Sequence, residues 1–136
     1  MNRLPGVIAA VESAGSIAIV DVDALGLRLT ASLIGAGLQV EGWTAGLPVT
    51  LLFAETEVAL AKNLSGLISM RNRIGASVVA IERGSILCRV VLQADGAQLV
   101  SIITTRASHA LSLVCGDRVE ALVKANEMHV VASKPA

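Results

Sequence analysis

Hydrogen-bond donors are concentrated in three short clusters in the second half of the chain. The clusters are Ser69, Met70, Arg71 and Asn72, then Thr104 and Thr105, and finally Lys124 and Ala125. A guanidinium, an ammonium, hydroxyl groups and the backbone N–H groups of a predicted helix start are all donors, and no carboxylate lies among them. A tetrahedral oxyanion requires several converging hydrogen bonds and a cationic counter-charge. The set therefore predicts an anion receptor.

Each of these residues also has an ordinary structural interpretation. Arg71 alone is typical of a surface charge, and Thr104 alone is typical of a helix N-cap. Lys124 has aliphatic neighbours on the same face of a predicted strand, and a lysine in that setting usually extends its ammonium to solvent. The prediction of a binding site depends on the set and not on any single member.

Catalytic and metal-binding chemistry is not predicted. General acid–base catalysis needs paired carboxylates or a histidine, and a nucleophilic hydroxyl needs a neighbouring base. His109 and His129 have no partner at metal-ligand spacing. Cys88 and Cys115 lie in apolar stretches without a CxxC motif, which predicts free thiols buried as small hydrophobic side chains. We expect a protein that is not an enzyme and holds no cofactor and no bare metal cation.

Composition and charge limit which partners and which location the chain can have. Its 136 residues are 54% hydrophobic with one Phe, one Trp and no Tyr, so the core must be aliphatic. Eleven Lys and Arg balance eleven Asp and Glu, which argues against direct contact with nucleic acid. No apolar run reaches the roughly eighteen residues of a bilayer span, and the start does not resemble a signal peptide. We expect a cytoplasmic protein without membrane contact.

The chain contains an internal repeat. An ungapped shift of 70 residues aligns twelve identical pairs, from Asn2 with Asn72 to Glu57 with Glu127. Other aligned positions exchange one aliphatic residue for another, such as Val11 with Ile81 and Ile17 with Leu87. The repeat predicts two similar modules, residues 1–65 and residues 66–136.

Both modules have the patterns of short strands. The predicted strands are GVIAAVE, SIAIVDV and PVTLLFA in the first module, and ASVVAIE, ILCRVVL, LVSIITT and RVEALVKA in the second. One segment per module has helical spacing, as in RASHALSLV, residues 106–114, and Gly116 follows it. Closure would remove the exposed edges of such apolar strands. The predicted fold class is all-β, a tandem of two small OB-like barrels, each with one short helix.

Four stretches of the second module resemble a known family. The stretches SMRN, VVAIERGSILCRV, SIITTR and GDRVEALVKANEM, taken in this order, resemble the molybdate-binding Mop module of the TOBE type. The tandem resembles the di-Mop unit of molbindins and of the C-terminal half of the molybdate-responsive transcriptional repressor. The resemblance implies a ligand, molybdate or tungstate, and leaves the choice between the two oxyanions open.

The resemblance also implies ligand residues. Carried over by position, they are Ser69 and Arg71 of one chain, with Thr104, Lys124 and the backbone of Ala125 from a partner chain. Further candidates are Met70, Asn72, Thr105 and Ser108, the last because the family's second hydroxyl falls at Ala107 here. Such a site implies a homo-oligomer, for which we expect a homodimer with a trimer as the alternative.

The first module lacks the ligand residues. Met1 aligns with Arg71 by the same offset, Ile34 with Thr104, and Ala54 with Lys124. We expect the first module to serve as scaffold and interface. The predicted function is molybdate sensing, as the C-terminal part of a longer DNA-binding regulator. The alternatives are a free-standing molbindin for molybdate storage and a dimerisation module that has lost its ligand.

Overall fold

The computed structural model of the chain describes residues 1–35 and 40–133, and more than half of these residues are in strands. The strands are β1 (Asn2–Ala14), β2 (Ile17–Ala24), β3 (Leu27–Ile34), β4 (Pro48–Phe53), β5 (Ala59–Ala61), β6 (Asn72–Arg83), β7 (Leu87–Ala94), β8 (Ala97–Thr104), β9 (Arg118–Val123) and β10 (His129–Ala132). The helix α1 spans Thr105–Ala110, and short 3-10 turns span Glu55–Glu57 and Ala125–Glu127.

The strands form two sheets that exchange their last strands. The first sheet has the order β10-β4-β1-β2-β3 and the second the order β5-β9-β6-β7-β8. Each sheet therefore contains one short strand from the other half of the sequence. The end strands of each sheet, β10 with β3 and β5 with β8, also contact each other. Both sheets thus curl into small, nearly closed barrels, which confirms the predicted fold class, while the division at residue 65 stays a prediction.

The long strands β1 and β6 organise their sheets in the same way. The first part of β1 pairs with β4 and the second part with β2, and the register shifts between Ile8 and Ala10. In β6 the corresponding shift lies between Val78 and Ala80, with β9 and β7 as the partners. A bulge bends its strand and increases the local twist. Each long strand can therefore pair with strands on two sides of one barrel.

One continuous core of buried apolar residues spans both sheets. Alternate residues of the strands point into it, as expected for a sheet with one covered face. Its members are mainly Val, Leu, Ile and Ala, joined by Phe53 and Met128. This agrees with the prediction of an aliphatic core. The two modules share their interior, so each supports the packing of the other.

Two buried asparagines join the sheets. The side chain of Asn2 accepts from the backbone N–H of Val100 and donates to its carbonyl, both at 2.8 Å. In the same way, the side chain of Asn72 accepts from the backbone N–H of Thr30 at 2.7 Å and donates to its carbonyl at 2.8 Å. Each amide thus reproduces the two hydrogen bonds of a β-bridge with the third strand of the other module. We call these two contacts the asparagine clasps.

Two predictions need correction. The helix α1 ends at Ala110 and not near Val114, because Ser112 adopts a positive φ of 47° that a helix cannot contain. Cys88 is buried as expected, but Cys115 is exposed, because it lies in the turn after this helix and not in a strand.

Helical structure is limited in the described part of the chain. The helix expected in the first module aligns with residues 35–40, which fall largely outside the described residues. Within residues 1–35 and 40–133, none of the helices has the length and apolar character that a membrane span requires.

Candidate anion-binding site

A cavity of about 250 Å³ lies where the entry to β6 meets the exit from β9. The residues that line it are Ser32, Ser69, Met70, Arg71, Lys124, Ala125 and Asn126. Four of the five main residues predicted from the sequence therefore come together within a single chain. We refer to this space as the anion cavity.

Strand pairing explains why these residues meet. Asn72, the first residue of β6, pairs with Val123, the last residue of β9, in an antiparallel ladder. Ser69 and Arg71 directly precede β6, and Lys124 directly follows β9. The ladder therefore delivers the two cationic side chains to the same end of the sheet. The prediction that Ser69 and Arg71 belong to a different chain from Lys124 is not required by this geometry, and it stays a prediction.

The donors in the anion cavity are largely unused. Arg71 Nη2 donates to the carbonyl of Ile68 at 2.6 Å, which leaves its other N–H groups available. Within residues 1–35 and 40–133, Lys124 and the Ser69 hydroxyl have no side-chain hydrogen bond, and neither Arg71 nor Lys124 has an ion-pair partner. Ala125 is the first residue of a 3-10 turn, where a backbone N–H lacks an intrahelical acceptor.

Two other cations on or beside the second sheet are neutralised, Lys62 at the end of the sheet opposite to the anion cavity. Arg73 makes a two-pronged contact with Glu120, at 2.8 and 2.7 Å, and lowers the pKa of that carboxyl. The pKa of Asp117 is lowered first by the backbone N–H of Val114 and then by Lys62, which lies 2.9 Å away. The positive charge of Arg71 and Lys124 thus remains available for a mobile anion.

Thr104 lies outside the anion cavity. Its Oγ1 accepts from the N–H of Ala107 at 3.0 Å and caps α1, so its ordinary structural interpretation is met. Accepting this bond leaves the hydroxyl hydrogen free to donate. Thr104 lines a second cavity of about 620 Å³, which shares Met70 and Lys124 with the first. The threonine is thus a neighbour of the anion cavity and not one of its walls.

The second cavity is less suited to an anion. Most of its lining is apolar, and the carboxylates of Glu57 and Glu127 also border it. Among the residues that the structure describes, none with a carboxylate side chain borders the smaller cavity. Sequence reasoning did not include these two glutamates. The strand exchange that brings Glu57 to the second module is not visible in local patterns, and Glu127 lies just beyond the cluster of Lys124 and Ala125.

The side-chain donors of three additional candidates are already used in hydrogen bonds within the chain. Both amide hydrogens of Asn72 are donated, to Thr30 and Val123. The hydroxyl of Thr105 donates to Gly84, and that of Ser108 donates to the carbonyl of Thr105. These contacts give the three side chains structural roles within the chain. The fourth candidate, Met70, lines both cavities but has no polar hydrogen to donate.

Two lining residues were missed by sequence reasoning. Ser32 comes from β3 of the first module, and Asn126 belongs to the 3-10 turn after Lys124. A signal for Ser32 was present in the repeat, because its counterpart by the offset of 70 is the apolar Ile102. Within the described residues, no group of three or more His, Cys, Asp or Glu could hold a metal ion.

Comparison with known proteins shows one matching family model and several similar relatives. Residues 68–130 match the model of the TOBE domain. The molybdenum import ATP-binding protein ModC of Brucella abortus (strain 2308) is 31% identical over 123 residues, which are 90% of this chain and 32% of the relative. ModC of Brucella suis biovar 1 (strain 1330) matches equally well. The chain thus spans about a third of the length of these curated relatives.

Solved structures extend the similarity to nearly the whole chain. The cytoplasmic molybdate-binding protein ModG, solved with molybdate bound, superposes with a TM-score of 0.90 at 26% identity. The match covers 97% of this chain and 96% of ModG. A molybdate-binding protein from Sporomusa ovata is 42% identical over 48% of this chain and 98% of its own, with a TM-score of 0.48.

Proposed function

We propose that this chain is a tandem of two Mop modules of the TOBE type and that it binds a tetrahedral oxyanion of the molybdate class in the anion cavity. The observation that carries the proposal is the pair of cations Arg71 and Lys124 on one cavity, where the described residues supply neither an ion-pair partner nor a carboxylate in the lining. A dianion between two cations gains charge-assisted hydrogen bonds, which are about twice as strong as neutral ones. Ser69 and the N–H of Ala125 supply further donors.

Molybdate or tungstate is the proposed ligand. The support comes from ModG, which was solved with molybdate, and from the match to the molybdenum import protein ModC. The two oxyanions have the same charge and nearly the same size, so both should bind. Sulfate carries the same charge but is smaller, and it would reach fewer of the donors at once.

Isothermal titration calorimetry tests this proposal. Molybdate and tungstate should each give a saturable heat, and millimolar sulfate should leave the molybdate affinity unchanged. The Lys124→Ala variant should bind more weakly than the unmodified chain. Absence of molybdate binding, or full competition by sulfate, would contradict the proposal.

We further propose that the protein acts in the cytoplasm, either as the sensor part of a molybdate-responsive regulator or as a molybdate store. The match with ModG, a cytoplasmic molybdate-binding protein, supports the cytoplasmic location. In both roles the chain would form a homodimer, with a trimer as the alternative, and would not contact nucleic acid itself. The balance of eleven basic and eleven acidic residues supports the last point.

Analytical ultracentrifugation with and without molybdate separates the two roles. A sensor must bind its ligand differently in two quaternary states, so molybdate should change the sedimentation coefficient or the association constant. A store needs no such coupling and should keep one assembly state throughout. A chain that assembles normally but gives no calorimetric signal with molybdate would be a dimerisation module only.

A further inference from the structure

We infer that Ser32 of the first module is a ligand-contacting residue of the anion cavity in the second module. The inference rests on the proposed function and extends it, because it gives the first module a direct part in binding. Ser32 lies on β3, outside the residues 68–130 that match the TOBE domain.

The position of Ser32 supports this assignment. Strand β3 contacts the 3-10 turn Ala125–Glu127, so it forms one side of the anion cavity. Ser32 is half-buried there, and its hydroxyl has no hydrogen-bond partner within the described residues 1–35 and 40–133. A serine hydroxyl can donate one hydrogen bond, and its direction adapts by rotation. It can therefore donate to an oxyanion that Arg71 and Lys124 hold.

An asparagine clasp holds Ser32 in place relative to the cations. Asn72 follows Arg71 directly, and its side chain binds both backbone polar groups of Thr30, at 2.7 and 2.8 Å. Thr30 and Ser32 are two residues apart on β3, so their side chains share one face of the strand. The clasp thus couples the strand of Ser32 to the residue next to Arg71. A donor held in this way needs little reorganisation when the ligand binds.

The corresponding region at the other clasp provides an internal comparison. Asn2 binds Val100 with the same geometry as Asn72 binds Thr30. The residue two positions beyond Val100 is Ile102, which aligns with Ser32 by the offset of 70. Its environment has Met1 and Ala54 in the places of Arg71 and Lys124.

The pattern of exchange is consistent across the two regions. The backbone framework and the clasp are kept, whereas both cations and the serine are replaced by apolar residues in the region around Asn2. If Ser32 were only a surface residue of β3, its presence would not be expected to coincide with the presence of the two cations. Ser32 therefore belongs with Arg71 and Lys124 as a donor to the same ligand.

Three substitutions at one position test the inference by molybdate calorimetry. Ser32→Ala removes the hydroxyl and should weaken binding about ten-fold, the scale of a hydrogen bond to a charged group. Ser32→Thr keeps the hydroxyl and should retain most of the affinity. Ser32→Ile copies the residue of the other region, fills part of the cavity, and should weaken binding further. Ser13→Ala, an exposed serine of β1, is the matched control and should bind like the unmodified chain.

The outcomes separate this inference from the proposed function. Weak binding by Ser32→Ala, with an unchanged melting temperature and recovery in Ser32→Thr, would support a direct contact. Equal affinity of Ser32→Ala and the unmodified chain, with Lys124→Ala impaired, would overturn the inference and leave the proposed function standing. An unmodified chain that does not bind molybdate would overturn both.

Discussion

The two modules have the same framework but differ in the region that each asparagine clasp supports. Both have a bulged long strand, a 3-10 turn after the fourth strand, and a short strand given to the other sheet. At the second module's cavity, Arg71 and Lys124 carry unneutralised charge, while Met1 and Ala54 occupy the corresponding positions of the first. The comparison teaches that the fold and the anion site depend on different residues.

The repeated Asn-Arg pair illustrates this separation. Asn2 and Asn72 are both buried and clasp the opposite module, so selection for the fold alone is enough to retain them. In the described part of the chain, the side-chain hydrogen bond from Arg71 to Ile68 is the only one that Ser69 or Arg71 makes. The asparagine found in both modules thus serves the fold, whereas Ser69 and Arg71, found in the second module only, are proposed to serve binding.

The largest effect should come from copying an acidic residue into the anion cavity. Glu55 of the first module aligns with Ala125, so the backbone at this position accepts a glutamate. Ala125→Glu would place a carboxylate beside the bound oxyanion, and such a like-charge contact costs several kcal/mol. Calorimetry should show molybdate affinity reduced by more than about 100-fold. Ala132→Glu, at an exposed position of β10, is the control and should bind normally.

Removal of either asparagine clasp should reduce the stability of the chain equally, but only one removal should reduce molybdate binding. Asn2→Ala and Asn72→Ala each leave a backbone N–H and a carbonyl of the opposite strand without partners. Each should lower the free energy of unfolding by about 3 kcal/mol, measured by urea denaturation. Only Asn72→Ala should also weaken molybdate binding, because it alone releases the strand that carries Ser32. Equal binding by both variants would show that the clasp does not position the site.

Several elements of this account follow from local sequence patterns. The offset of 70 reveals the repeat, apolar alternation indicates most of the strands, and the clusters of donors indicate Ser69, Arg71 and Lys124. The prediction that these clusters lie close together is correct because β6 and β9 are paired, so the residues that flank them meet at the same end of the sheet.

The exchange of β5 and β10 could not be predicted in the same way. Each strand has only three or four residues, which is too short to establish a period of two. Since the exchange brings the modules together, their contacts were also missed, including the position of Ser32 in the anion cavity. The hydroxyl of Thr105 is used by the carbonyl of Gly84, which is 21 residues away and which local spacing does not indicate. The hydroxyl of Ser108 donates three residues back to Thr105, and this bond depends on where the short helix begins.

A mixing experiment tests whether the anion cavity belongs to one chain. Arg71→Ala and Lys124→Ala should each weaken binding about ten-fold or more, the scale of a lost charge-assisted bond. If both side chains serve one intrachain cavity, co-refolding the two variants should not restore affinity. The interchain site implied by the family resemblance predicts recovery in about half of the dimers, each with one intact site. Molybdate titration of the mixture distinguishes the two arrangements.

Acid should act on the second module more than on the first, with a small effect. The pKa of Asp117 is lowered from 3.8 and that of Glu120 from 4.5, whereas their counterparts Leu47 and Thr50 cannot ionise. A lowered pKa in the folded state contributes stability above the ordinary value, and this stability is lost as the pH falls through the folded pKa. The free energy of unfolding should thus decline below about pH 4.5, and less steeply in Asp117→Asn. An identical decline in that variant would contradict the assignment.

The most direct test of the anion cavity is molybdate titration of two single-charge variants. Lys124→Ala removes a cation that borders the cavity, and Arg89→Ala removes an exposed cation on β7 that does not. We expect one strong site per unmodified chain, binding at least about ten-fold weaker in Lys124→Ala, and unchanged binding in Arg89→Ala. Equal affinity of the two variants, or two strong sites per chain, would contradict the account.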